Sequence, residues 1–239
     1  MTFREYLKEA GEVAGKLELI KTDLKTARAF AEKVFKKYNR NLNDEIPNFD
    51  KNYITAQKIA STGKTLRKDM PVIDEKDIKK LQTELVKGEI DIRAPFANKE
   101  DAKDPFPTGL KKGSKKAEEW LTNGLKVHDG SKDDDVVKAK IDSVSIKDLK
   151  PIQKQIYFDK SITATAESGV TNTINFLKNE TTFVDSADRR IIDGHHRYLS
   201  GLLVDPNMKV HALTIDLPIK QLLPLTLSYS DAVGNKRNA

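Results

Sequence analysis

The chain has 239 residues, 38% hydrophobic and 33% charged, with a formal charge of +6 and no cysteine. The missing cysteine excludes disulfides, thiolate metal sites and cysteine nucleophiles. No apolar run nears the roughly 18 residues a membrane span needs, and the first residues lack a signal-peptide core, so a soluble, cytoplasmic protein without a membrane partner is expected. The length allows one or two domains, and the modest basic excess permits nucleic-acid contact without requiring it.

Thr2 and Glu5 fit a capping box for a short helix carrying Phe3, Tyr6, Leu7 and Ala10. Next, Val13, Leu17, Ile20, Leu24, Ala27, Ala31, Val34 and Tyr38 recur at helical spacing. They predict one helix of about 25 residues, packed on a neighbour or self-associating as a weak coiled coil. A further helix is expected over 53–60. Gly63-Lys64-Thr65 looks like the end of a phosphate loop, but Lys58 stands where the first glycine is required and no apolar strand leads in. Met70-Pro71-Val72-Ile73 reads as extended, followed by a helix from Asp74 to Gly88 and a strand over 89–92. Residues 1–93 thus form a helical region. Residues 94–135 form a polar linker, interrupted by a short helix around Trp120 and Leu121. Asp133-Asp134-Asp135 lies in a solvated run without EF-hand spacing.

From residue 136 the texture changes. Strands are expected over 136–141 and 144–146, then a bend at Leu149-Lys150-Pro151-Ile152-Gln153 and an extended piece over 156–158. Short polar helices follow over 161–167 and 171–177. A hairpin pairs 182–184 with 190–192, a helix runs to about residue 204, and a strand covers 209–215. A last helix over 219–225 precedes a frayed tail over 230–239. The fold class is α+β: a helical N-terminal region, then a small mixed-sheet domain over 136–229.

The chemistry concentrates at Arg190-Ile191-Ile192-Asp193-Gly194-His195-His196-Arg197-Tyr198, which holds two of the four histidines. Strand, glycine turn and helix start follow in that order. A helix start presents unpaired N–H groups and a positive dipole end, so it suits an anion. Gly194 lets a ligand approach the backbone, and Arg197 offers a planar fork to phosphate. Asp193 either caps the helix or serves as a Mg²⁺ contact or base. His195 and His196 splay about 100° apart, which disfavours one shared zinc and leaves hydrogen-bonding or acid/base roles toward phosphate. Gln153 either bonds a ligand or ties the bend. Tyr198 faces the core, and His128 and His211 are structural.

Leu149-Lys150-Pro151-Ile152-Gln153 and Ile192-Asp193-Gly194-His195-His196-Arg197-Tyr198, in this order of elements, resemble the ParB/sulfiredoxin-like superfamily. The Asp-Gly-His-His-Arg string resembles a branch described as ParB-like nucleases and frequent in bacterial viruses. The likeness covers about residues 136–225. It implies that the turn meets the phosphates of a nucleotide (ATP, ADP or CTP) with Mg²⁺. Gly194, His195, His196, Arg197 and Gln153 would bind, Asp193, His195 and His196 would do the chemistry, and Asp193 would hold the metal. Sulfiredoxins carry a reactive cysteine where this chain has His195, so their chemistry is not expected. Partition proteins follow a Gly-Glu-Arg-Arg version with a helix-turn-helix DNA reader, and none is expected here. Kinases of free serine share Asp-Gly-His-His-Arg but use a carboxylate near the position of Gln153. The implied functions are a nuclease or nucleotide-dependent phosphotransferase, a non-enzymatic DNA-binding module, or a virion-internal protein. The last rests on the first ten residues, which resemble the targeting peptides of internal head proteins of T-even-like phages.

Overall fold

A computed structural model describes residues 15–73, 80, 107–123 and 138–235. Apart from Lys80, the first helix, the helix over 74–88, the strand over 89–92, the acidic run at 133–135 and His128 lie outside the described residues. Among these, the α-helices are α1 (Leu24–Lys37), α2 (Leu42–Glu45), α3 (Phe49–Ala60), α4 (Lys115–Asn123), α5 (Phe158–Ser168), α6 (Val170–Asn179), α7 (His195–Val204) and α8 (Ile219–Val233). The strands are β1 (Ala139–Ser145), β2 (Lys150–Pro151), β3 (Thr181–Ser186), β4 (Arg190–Asp193) and β5 (Lys209–Ile215). They form one mixed sheet in the order β1-β5-β3-β4-β2, and the fold is α+β.

The chain divides into two compact units. The first takes the described part of Met1–Leu66 with Ser143–Phe183 and Gly194–Ala212. Here the long N-terminal helix is shorter than its apolar stripe predicts. Residues 15–18 lie outside any helix, Leu19–Lys21 make a 3₁₀ turn, and α1 starts only at Leu24. Two causes are visible. Asp23 caps α1, its carboxylate accepting the Thr26 N–H at 2.9 Å. Upstream, Leu19 N–H donates to Ile156 O (2.8 Å) and Leu17 O accepts from Phe158 N–H (2.7 Å), so this backbone is spent on pairing. Ile20, assigned to the stripe, is accordingly 37% exposed, whereas Ala27, Ala31 and Val34 are buried as α1 packs on α5 and α3.

Helix α5 also departs from expectation. The sequence suggests a short polar helix, yet every residue from Phe158 to Ala166 is buried. Two of its hydroxyls bond back within the helix: Thr165 donates to Ser161 O at 2.9 Å and Ser168 to Ala164 O at 3.0 Å. A Ser/Thr-rich helix bonded back onto its own carbonyls packs like an apolar one. Phe158, predicted to be extended, is its first residue. Its ring meets Tyr53 (5.1 Å), Phe49 (6.1 Å) and Phe30 (6.2 Å) edge-on, which fixes the start of α5.

The second unit takes Arg67–Asp142, Val184–Asp193 and Leu213–Ala239. The predicted hairpin is present, with Val184 opposite Asp193 and Asp185 opposite Ile191. Arg189, at a positive φ of 60°, turns its guanidinium onto Asp142 (2.7 Å), Thr214 (2.7 Å) and the fully buried Asp185 (3.3 Å). Burial raises the Asp185 carboxyl, while the Thr214 hydroxyl and the Arg189 guanidinium pull it back down. Removing Arg189 leaves a buried carboxylate with one donor. Arg189→Ala is therefore expected to cost about 3 kcal/mol in urea unfolding, and Arg189→Lys to recover part of it.

The tail is not frayed from residue 230. Helix α8 runs to Val233 with Ser230 and Asp231 buried, and ends at Gly234 in the left-handed region. Ser230 bonds the Val72 carbonyl (2.8 Å), and Asp231 accepts the Gly109 N–H (2.6 Å). These polar residues look like tail in sequence because their partners are more than a hundred positions away. The expected helix around Trp120 is α4, which packs on α8 with Ala117 and Trp120 buried.

Candidate functional site

The Asp193–Tyr198 segment folds as its pattern predicts: the apolar Ile191-Ile192 pair lies in β4, and α7 begins at His195. The N-cap is Gly194, not Asp193. Asp193 instead ends β4, partly exposed, so its expected capping role is not seen. Gly194 sits at φ +109°, and a Cβ there would lie 2.8 Å from the Phe183 ring and 3.0 Å from Thr182 O. Both constraints demand glycine. Gly194→Ala is expected to lower Tm by several degrees, read in a thermal melt, through strain of about 1–3 kcal/mol.

His195 is not poised for proton transfer. Its ring is buried, and Nε2 accepts the N–H groups of Ile152 and Gln153, each at 3.2 Å. Burial first, then the nearby Arg197 charge, lower its pKa to about 3. The neutral ring therefore carries its proton on Nδ1 and pins the bend after β2. The same bend is held from the other side, where Lys64 and Thr65 N–H both donate to Ile152 O (2.9 and 2.8 Å) and Lys154 N–H donates to Thr65 O (2.7 Å). Gly63-Lys64-Thr65 is thus a structural pairing segment: a Cβ on Gly63 would lie 2.3 Å from Gln153 O. Gln153 is buried, and its amide donates to Gln155 O, so it ties the bend.

His196 joins two helix starts. Its Nε2 accepts the Tyr157 N–H at 3.2 Å, and its ring stacks on Tyr157 with centroids 6.2 Å apart. Its carbonyl accepts the Ser161 hydroxyl at 3.0 Å, and Ser200 donates to Ser161 O at 3.2 Å. The first turns of α5 and α7 are therefore held side by side. Each carries a basic residue at its third position, Lys160 in α5 and Arg197 in α7, and these are only 9% and 8% exposed. Lys160 Nζ lies 5.7 Å from the Tyr157 ring centre. Tyr198 faces the core as expected and donates to Leu149 O at 3.1 Å.

Two acidic residues at this place escape sequence reading. Asp159, in the first turn of α5, is 2% exposed and accepts the Lys16 N–H at 2.8 Å through Oδ2. Glu18, opposite Tyr157 in an antiparallel bridge, is 9% exposed and meets Lys21 Nζ at 2.8 Å through Oε2. Neither carries a motif. Among the described residues, no group of three or more His, Asp or Glu side chains is arranged to hold a metal ion, and no helix is long and apolar enough to cross a membrane. No family model, curated protein or solved structure matches this chain.

Proposed function

We propose that this protein binds a nucleotide through its phosphates at the start of α7, with ATP, ADP or CTP and Mg²⁺ as the ligand class. One observation carries the reading. Arg197 is buried in the first turn of a helix that starts at a glycine N-cap and has no acidic residue in that turn. A cation at the positive end of a helix dipole is unfavourable by about 0.3–1 kcal/mol, and an anion there reverses the sign. The likeness of Asp193–Tyr198 to the ParB/sulfiredoxin-like motif supports the same place. At 8% exposure, Arg197 suits a small ligand better than the backbone of a rigid duplex.

The geometry favours binding over acid/base catalysis by the histidines, since both Nε2 atoms accept main-chain N–H groups. A thermal-shift series with ATP, ADP, CTP and a short DNA duplex, each with and without Mg²⁺, tests the reading. A nucleotide at a hundred times its Kd is expected to stabilise by about 2.7 kcal/mol. Stabilisation by duplex alone, falling steeply with salt, would replace the nucleotide reading with a DNA-binding one.

A further inference from the structure

We propose that Glu18 and Asp159 hold a divalent cation of the Mg²⁺ class beside the paired helix starts. The segment around Glu18 runs antiparallel to the one around Tyr157. Leu19 N–H donates to Ile156 O and Phe158 N–H to Leu17 O (2.8 and 2.7 Å), and Glu18 faces Tyr157. The Asp159 carboxylate accepts the Lys16 main-chain N–H at 2.8 Å, two residues before Glu18. Glu18 and Asp159 therefore both border the place where residues 17–19 pair with 156–158, at the first turn of α5.

Each carboxylate uses one oxygen and keeps the other buried. Glu18 Oε1 and Asp159 Oδ1 are both shut from solvent and have no hydrogen-bond partner. Two buried carboxylate oxygens without donors are costly to leave unpaired, and Lys21 meets only the other oxygen of Glu18. The donors are all oxygen, which suits a hard ion and not zinc. Two carboxylates suffice for Mg²⁺, which keeps several waters and takes further oxygens from bound phosphate. The inference therefore rests on the phosphate reading of the α7 start, and places the ion on Glu18 and Asp159 in preference to Asp193.

Mn²⁺ alone, titrated into the full chain without nucleotide and followed by electron paramagnetic resonance, is the test. One saturable site is expected, weakened at least fivefold by Asp159→Asn and by Glu18→Gln, and unchanged in Glu32→Gln on the exposed face of α1. Equal Mn²⁺ binding by native protein and the Glu18→Gln/Asp159→Asn double variant overturns the proposal. Should Asp159→Asn fail to fold, amide line broadening by Mn²⁺ in the native protein decides. Broadening centred on residues 16–18 and 157–160 supports the site, and broadening centred elsewhere refutes it. Nucleotide binding in EDTA is measured separately, so the metal site can fail while the phosphate reading stands, and the reverse.

Discussion

Acidification from pH 7 to pH 5 is expected to lower the unfolding free energy by about 2 kcal/mol through His195 alone. The folded-state pKa of this ring is depressed to about 3, whereas an unfolded histidine titrates near 6.5. Stability from the neutral ring is thus fully present above pH 6.5. It is lost as pH falls from 6.5 toward 3, because over that window only the unfolded chain takes up the proton. The structural cost of protonation is equally plain: a protonated Nε2 can no longer accept from Ile152 and Gln153, and the bend after β2 loses the bond pair that holds it. Urea unfolding at pH 7 and pH 5 checks this, with His195→Gln as the comparison. The variant starts less stable, since it disturbs a buried acceptor of two N–H groups. Its pH 5 penalty should shrink by the same 2 kcal/mol or so. Other carboxylates, such as the buried Asp185, titrate in both proteins, and their contribution cancels in the difference. An identical pH dependence in the two proteins would remove the structural role assigned to His195.

The second large effect concerns Arg197. If this guanidinium meets a phosphate, Arg197→Ala removes a charge-assisted bond of about 1.5–3 kcal/mol, and nucleotide affinity falls by roughly 10- to 100-fold. Arg197→Lys keeps the charge but not the fork, and should retain an intermediate affinity. Arg197 is buried, so the variants are compared by the shift that nucleotide adds to each one's own Tm, not by Tm itself. A ligand-induced shift in Arg197→Ala equal to that of the native protein would show that Arg197 serves folding only.

The glycine turn and its helix were legible because local rules converge there: an apolar β-branched pair, a glycine, then helical spacing. The hairpin and closing strand were legible for the same reason. What escaped depends on partners distant in sequence. The apolar stripe from Val13 to Tyr38 is a sound helical pattern, yet residues 17–19 pair with 156–158 instead. That pairing also brings Lys16 and Asp159 together across 143 positions, and no spacing rule exposes it. His195 shows the converse error. Its residue type announces a titrating group, while burial against Ile152 and Gln153 makes it a fixed acceptor. Asp193 was the natural cap on composition, but the left-handed turn moves the cap to Gly194. Helix α5 was read as polar because hydroxyl self-bonding is invisible to hydropathy.

The most direct measurement is a titration of the ¹⁵N-labelled native protein with the nucleotide that stabilises it best, followed by amide shifts in the absence of metal. The backbone N–H signals of His195, His196 and Arg197 are expected to move first and furthest, as phosphate oxygens accept from the first turn of α7. Saturable binding that moves other amides and leaves these three in place would contradict the phosphate reading.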